Sequence, residues 1–312
     1  LSSRSVCRRR SRSLMKKNPF VGSRPFEGGD RGNYFGRTRE ARDLLALIRA
    51  ERAVLLHSQP RTGKTSLLNT CIIPDLIEDC FNVLPVARVG NPLPNGIEDR
   101  RVKNIFVFSA LLDLAGKDIP PAFLTQHTLL LFLRQLLGTT QDTTSNVDQE
   151  ATLLLSSMHR PPVLILDQFE EILTAHQSRW KDVQGFFAQL QEVMQNMSEM
   201  GVVLAMRDEH VGGIESFAPM FPKRLRMRYH MERLTPDGAL EAITRPALRA
   251  GCPFADGVAD QLVEYLIGTQ HLGPFVDPAR LQMICYRVWE SLKDSSEGRL
   301  IQWQDVEPCL RE

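Results

Sequence analysis

The chain has 312 residues, of which 43% are hydrophobic, enough for packed cores in two domains rather than one. Its formal net charge of +1 is unevenly placed: Arg4, Arg8, Arg9, Arg10, Arg12, Lys16 and Lys17 crowd the first 17 residues without an acid, leaving 31 basic against 37 acidic residues beyond them. No run of 18 apolar residues supports a membrane span and no apolar h-region follows the basic start. The six scattered cysteines show neither zinc spacing nor a disulfide framework, so a reduced, cytoplasmic protein is expected.

Residues 1–17 are basic, Ser-rich and poor in apolar side chains, a composition that predicts disorder and allows contact with nucleic acid or anionic lipid. Leu1 is not methionine, and Met15 is an alternative start. From Asn18 to Tyr34, chain breakers around Pro19 and Pro25 predict an irregular segment held by its aromatics. A helix follows through Ala41, Leu44, Leu45, Leu47 and Ile48, with Thr38 as its expected N-cap. An apolar strand over Ala53–Leu56 leads through a polar loop into a helix expected to end near Pro74. A second strand is expected over Val83–Val89, then a Gly/Pro/Asn loop over Gly90–Gly96 and helices at about 103–115 and 120–137. The polar stretch Gly138–Asp148 links to a helix and then to a strand over Val163–Leu166. A long amphipathic helix at 179–199 precedes a strand over Val202–Met206, and a last strand is expected within 221–233, with Arg224, Arg226 and Arg228 on one face. From Thr235 the pattern is helical only, at about 236–250, 257–268 and 277–294, before Leu300–Val306. The predicted layout is a basic segment (1–17), an α/β domain (18–234) and a helical domain (235–312), with no internal repeat.

The loop after the first strand carries the chemistry. Ser58-Gln59-Pro60-Arg61-Thr62-Gly63-Lys64-Thr65-Ser66 runs from an apolar strand into an apolar helix start, the order a phosphate-binding P-loop requires. Backbone N–H groups wrap a polyphosphate, and the helix N-terminus adds partial positive charge. In that arrangement Lys64 reaches the β- and γ-phosphates, the Thr65 hydroxyl sits on Mg²⁺, and Gly63 lets the backbone come close. Ser58 stands where the usual pattern has glycine. A positive φ there costs roughly 1–2 kcal/mol, which predicts a loop start that is either strained or slightly rearranged.

The partner carboxylate lies in Pro161-Pro162-Val163-Leu164-Ile165-Leu166-Asp167-Gln168-Phe169-Glu170-Glu171. Four apolar residues after a Pro-Pro break read as a strand buried on both faces, as in a parallel sheet. Asp167 then stands at its carboxyl end, where open α/β sheets bind ligands and where a carboxylate holds Mg²⁺ through water. Glu170 and Glu171 follow, and either is placed to polarise an attacking water. Together these features predict a P-loop NTPase: a parallel sheet with flanking helices, followed by a small all-helical lid domain.

With these pieces placed, the chain resembles the novel STAND NTPase type-one family, nucleotide-binding modules of signal-transduction ATPases. The resemblance rests on Asn18-Pro19-Phe20-Val21-Gly22, Arg24-Pro25-Phe26, Phe35-Gly36-Arg37 with Glu40, Gly63-Lys64-Thr65-Ser66-Leu67 and Leu166-Asp167-Gln168-Phe169-Glu170-Glu171. Arg207, the segment from Leu234-Thr235 to Pro246-Ala247, and Pro278 to Trp289 continue it. It implies a switch that rests with ADP, exchanges to ATP and Mg²⁺, and can assemble into homo-oligomers, with sensor and effector domains outside this chain. It further implies that Arg37 contacts the nucleotide near the adenine–ribose side. Arg207 would then sense the γ-phosphate, and a lid proline, Pro278 or Pro274, would close on the adenine.

Besides Ser58, one loop position departs from the family pattern. Arg61 occupies a loop position that is usually glycine in the family. Gln168 follows Asp167 where fast ATPases place a catalytic glutamate; the family shares this glutamine, which implies slow hydrolysis. Two other functions remain open on sequence. One is an origin-recognition-like ATPase acting on DNA through Lys223, Arg224, Arg226, Arg228 and the N-terminal arginines. The other is a nucleotide-locked scaffold without hydrolysis. No Asn-Lys-x-Asp string is present, which favours adenine over guanine.

Overall fold

The computed structural model describes residues 17–138, 160–270, 273–292 and 299–310. The basic segment, the polar link after Gly138 and the helix expected before residue 163 therefore lie outside the described residues. The chain divides into two compact units, Pro25–Leu234 and the sequence on either side of it.

The first unit is built on a five-stranded sheet in the order β2-β3-β4-β1-β5. Its strands are β1 (Ala53–Ser58), β2 (Asn82–Val83), β3 (Pro162–Leu166), β4 (Gly201–Arg207) and β5 (Arg228–His230). Every pairing is parallel, so each connection crosses over and places helices on the faces. The two-residue period of a strand divides the apolar runs between two cores. Val54, Leu56, Val163, Ile165, Val203 and Ala205 face helix Thr38–Ala50 and the helix that follows the loop. Leu55, Leu164, Leu166, Val202, Leu204 and Met206 face helices Ile105–Ala115, Leu129–Leu136 and Lys181–Asn196. These strand side chains are almost wholly buried, and each contributes about 1.5–3 kcal/mol for the larger aliphatics.

Several elements differ from the sequence reading. Helix Thr38–Ala50 begins at Thr38, and Arg37 occupies the cap position without a capping side-chain bond. The helix after the loop does not stop near Pro74. It passes from Lys64–Leu67 through a π turn at Leu68–Ile72 into Ile73–Glu78, with Pro74 at the start of the last segment, where a missing N–H is tolerated. The Val83–Val89 strand shrinks to Asn82–Val83 plus a single bridge between Ala87 and Leu166, because Pro85 has no N–H for a ladder. The helix expected at 120–137 is two, Pro121–Leu124 and Leu129–Leu136, and Thr128 caps the second by accepting the Leu131 N–H. The strand expected within 221–233 keeps only Arg228–His230. A turn at Pro222–Leu225 precedes it, with Lys223, Arg224 and Leu225 at φ of 49°, 56° and 49°. Arg224, Arg226 and Arg228 therefore do not line one strand face. Lys223 pairs with Glu51 at 2.7 Å and Arg228 with Glu215 at 2.6 Å.

In the second unit, helices Pro236–Arg249, Val258–Gln270, Pro278–Leu292 and Trp303–Val306 pack together with the segment preceding Pro25. Phe20 meets Trp289 edge-on at 6.3 Å, and the Asn18 amide donates to Glu290 at 2.8 Å. Ile301 is buried and bridges to Phe254, fastening the closing segment to the helices. Among the described residues no helix is long and apolar enough to cross a membrane.

Burial holds the Tyr34 phenol above its ordinary range, partly opposed by the Arg37 guanidinium. A folded value raised above the unfolded one contributes stability that is present below about pH 10 and lost as pH rises further. Thermal midpoints measured from pH 9 upward are expected to fall, and Tyr34→Phe is expected to flatten that fall.

Candidate functional site

The carboxyl ends of β3, β4 and β1 lie side by side, and the predicted site residues gather there. In the β1–β4 register Ser58 is opposite Arg207, so the start of the loop and the end of β4 are neighbours. β3 lies on the other side of β4 and delivers Asp167 to the same edge.

The loop is organised by its own polar atoms and by one buried cation. Lys64 Nζ folds back and donates to Ser58 Oγ at 2.8 Å, and the Thr62 hydroxyl donates to the Gln59 carbonyl. Arg37, only 3% exposed, donates to the Thr62 carbonyl at 3.0 Å and the Glu232 carbonyl at 2.9 Å, and pairs with Glu40. Its cap position is unfavourable to the helix dipole, and these acceptors supply the compensating interactions. The Ser66 hydroxyl accepts the Phe26 N–H at 3.1 Å, which docks the irregular segment onto the loop's helix.

Of the two outcomes expected at the loop start, strain or rearrangement, the structure takes the second. Ser58 ends β1 as ordinary strand, whereas Arg61 takes φ of 61° and Gly63 φ of 98°. Gly63 has nothing within 4 Å of an added Cβ, so its requirement is conformational and not one of space. Arg61 is exposed and carries the left-handed conformation without glycine's freedom. Arg61→Gly is therefore expected to raise stability by about 1 kcal/mol, read as a midpoint increase of about 2–4 °C.

Just past the end of β3, Asp167 accepts the Thr65 hydroxyl through Oδ2 at 2.6 Å. Asp167 is buried, and its other oxygen accepts the Gln168 N–H at 2.9 Å while Gln168 turns through φ of 52°. That turn sends Phe169 into the core, where it is fully buried against Phe186 and Phe187 at centroid distances of 6.0 and 5.8 Å. The two glutamates then diverge. Glu170 is buried, accepts the Arg207 N–H at 3.2 Å, and pairs with Arg207 Nε at 3.0 Å. Glu171 turns to Arg88 and accepts the Gly90 N–H at 3.2 Å. An added Cβ on Gly90 would stand 2.6 Å from Glu171 Cβ, so this close approach needs glycine.

Burial lowers the Lys64 ammonium from its ordinary range, opposed by Glu170, Asp167 and Asp208 in decreasing order. The cation is thus desolvated among three carboxylates, with the Arg207 guanidinium nearby. Thr65 and Asp167 supply a hydroxyl and a carboxylate in contact, hard oxygen donors that suit Mg²⁺. The remaining predicted loop residues, Gln59 and Pro60, are exposed between β1 and the Arg61 turn. Pro278 belongs to the other unit, where it begins helix Pro278–Leu292 and Asp277 caps the first turn. Sequence reasoning missed Arg88 and Gly90 as the holders of Glu171, because only the fold brings residue 88 to residue 171.

This strand-end assembly and sheet order define a P-loop NTPase fold, which solved structures share. The Aeropyrum pernix ORC2 protein, in a structure titled as ADPNP–ADP complexes, is similar with a TM-score of 0.57 at 14% identity over 88% of this chain and 67% of that one. The Walker-type ATPase paby2304 of Pyrococcus abyssi is similar with a TM-score of 0.52 at 13% identity over 92% of this chain and 74% of that one. Among curated proteins none matches the sequence. Residues 19–301 match the family described as Novel STAND NTPase 1, and the chain belongs to that family.

Proposed function

We propose that the Pro25–Leu234 unit binds a magnesium adenine nucleotide, hydrolyses it slowly, and serves as a signalling switch. The observation that carries this reading is the 2.6 Å bond between Thr65 and Asp167, which joins the P-loop to a strand end 102 residues away, beside a desolvated lysine. In this reading Lys64 binds the β- and γ-phosphates, and the N–H groups of the loop cradle them. Thr65 and Asp167 hold Mg²⁺, which when bound neutralises charge developing on the phosphates. Arg207 binds the γ-phosphate. Arg37 acts by gripping the Thr62 carbonyl, a positioning role supported by its burial. Adenine is favoured by the missing guanine-reading string and by the nucleotides named for the ORC2 structure.

Slow turnover is supported by Gln168, which stands where fast ATPases place a catalytic glutamate, and by Glu170, whose carboxylate is engaged by both the Arg207 N–H and its guanidinium. Glu170 is nevertheless the better-placed acid, because Glu171 is committed to Arg88 and Gly90. The expected results are a wild-type turnover far below about 10 s⁻¹, the middle of the enzyme range, and a further loss of about 100-fold in Glu170→Gln. Glu171→Gln is expected to keep the wild-type rate. Equal losses in both variants would remove the distinction. Nucleotide titration of wild type, Lys64→Ala and Asp167→Ala, with and without Mg²⁺, tests binding itself. The DNA-directed alternative has the fold likeness to the ORC2 protein in its favour, but Arg224, Arg226 and Arg228 do not line one strand face, and the N-terminal arginines lie outside the described residues.

A further inference from the structure

One cluster at the same sheet edge includes Asp208, whose charge also reaches Lys64, but its two histidines have no part in the nucleotide site described above. His57 precedes the P-loop on β1, and His230 ends β5 directly opposite it in the parallel register, so both imidazoles project from one face of the sheet. Their rings are 5.1 Å apart, tilted by 36°. Asp208, just past β4, reaches between them: the His57 ring nitrogen Nδ1 is 2.8 Å from Oδ1, and His230 Nε2 is 3.1 Å from Oδ2. One ligand atom from each residue lies within 4.8 Å of the other two, the one such convergence found among the described residues.

We propose that His57, Asp208 and His230 bind a transition-metal dication of the zinc class, at a site distinct from the magnesium position at Thr65 and Asp167. Two imidazole nitrogens select zinc, cobalt or nickel over magnesium, which prefers oxygen ligands and keeps its water. Tetrahedral zinc, with bonds of about 2.0–2.1 Å, holds its ligand atoms about 3.3 Å apart. Each imidazole nitrogen already lies near that distance from one carboxylate oxygen, His57 from Oδ1 and His230 from Oδ2. Bringing both nitrogens to a single oxygen and to each other closes separations of no more than 4.8 Å, and His230, whose side chain is 47% exposed, has room to turn. Three protein ligands leave a fourth position for solvent. The ion fastens β5, a three-residue edge strand paired only with β1, to the ends of both β1 and β4.

The test uses the full chain with its thiols blocked by N-ethylmaleimide, stripped with EDTA and titrated with Co²⁺ in magnesium buffer without nucleotide. One equivalent of Co²⁺ is expected to give the intense visible absorption of a four-coordinate ion, displaced by stoichiometric Zn²⁺. His230→Ala is expected to weaken binding at least about 100-fold, the upper end of what losing an outer-sphere partner costs. Asp167→Ala is expected to bind Co²⁺ as wild type does, which keeps this outcome separate from that of the nucleotide site. No stoichiometric binding, a weak six-coordinate spectrum, or undiminished binding by His230→Ala would each overturn the assignment.

Discussion

Phe169→Ala is expected to destabilise the Pro25–Leu234 unit by about 3–5 kcal/mol, the usual cost of emptying a fully buried aromatic site. Against a total stability of about 5–15 kcal/mol this is a large fraction, and the thermal midpoint is expected to fall by on the order of 10 °C. The effect should not be confined to stability. Phe169 lies two residues after Asp167 and one before Glu170, and its N–H donates to the Ala205 carbonyl of β4 at 2.8 Å. The buried ring and that bond together hold the acidic turn against the sheet, on either side of the left-handed Gln168. Phe169→Leu, which keeps most of the volume, is expected to recover most of the stability. Calorimetry of the two variants checks the size of the loss. An alanine variant that melts within 2 °C of wild type (less than about 1 kcal/mol) would show that the ring does not anchor the turn.

Lys64→Ala is expected to weaken triphosphate binding by about 100-fold, or about 2.7 kcal/mol, the worth of one or two charge-assisted bonds to phosphate. The folded protein without nucleotide is expected to tolerate the change better than the complex does. Burial lowers the Lys64 ammonium, so the folded state binds its proton less well than the unfolded chain does. In the alkaline window between its lowered value and about 10.5, that group makes stability rise with pH, and Lys64→Ala removes this contribution. Asp167→Ala acts differently. It deprives the Thr65 hydroxyl of its acceptor and is expected to abolish the affinity gained on adding Mg²⁺, while nucleotide binding in EDTA changes little. Isothermal titration with ATP, in magnesium and in EDTA, separates the two variants. Equal magnesium dependence in Asp167→Ala and wild type would remove Asp167 from the metal.

Much of the fold was legible because its signals are local. Val163 to Leu166 and Val202 to Met206 are unbroken apolar runs, and only a strand buried on both faces uses such runs within a length of five to seven residues. The Gly63-Lys64-Thr65 turn and Asp167 were readable for the same reason. The misreadings were places where a neighbour decides the outcome. Nothing in 221–233 signals that Lys223, Arg224 and Leu225 adopt left-handed backbone, so the alternating pattern reads as a strand. Glu170 and Glu171 are equivalent on sequence because their partners, Arg207 and Arg88, come from 37 and 83 residues away. The His57, Asp208 and His230 cluster is likewise invisible to spacing, since three separate strand ends create it.

The Arg37 guanidinium joins two stretches of main chain that otherwise have little in common. One is the Thr62 carbonyl at the crest of the loop; the other is the Glu232 carbonyl, two residues before the unit ends at Leu234. Because the group is rigid, planar and sealed from water, it cannot follow one carbonyl without straining its hold on the other. A shift at the crest must therefore either snap a charge-assisted bond or drag the departing polypeptide with it, so that a lever no longer than one side chain spans the distance from loop to exit.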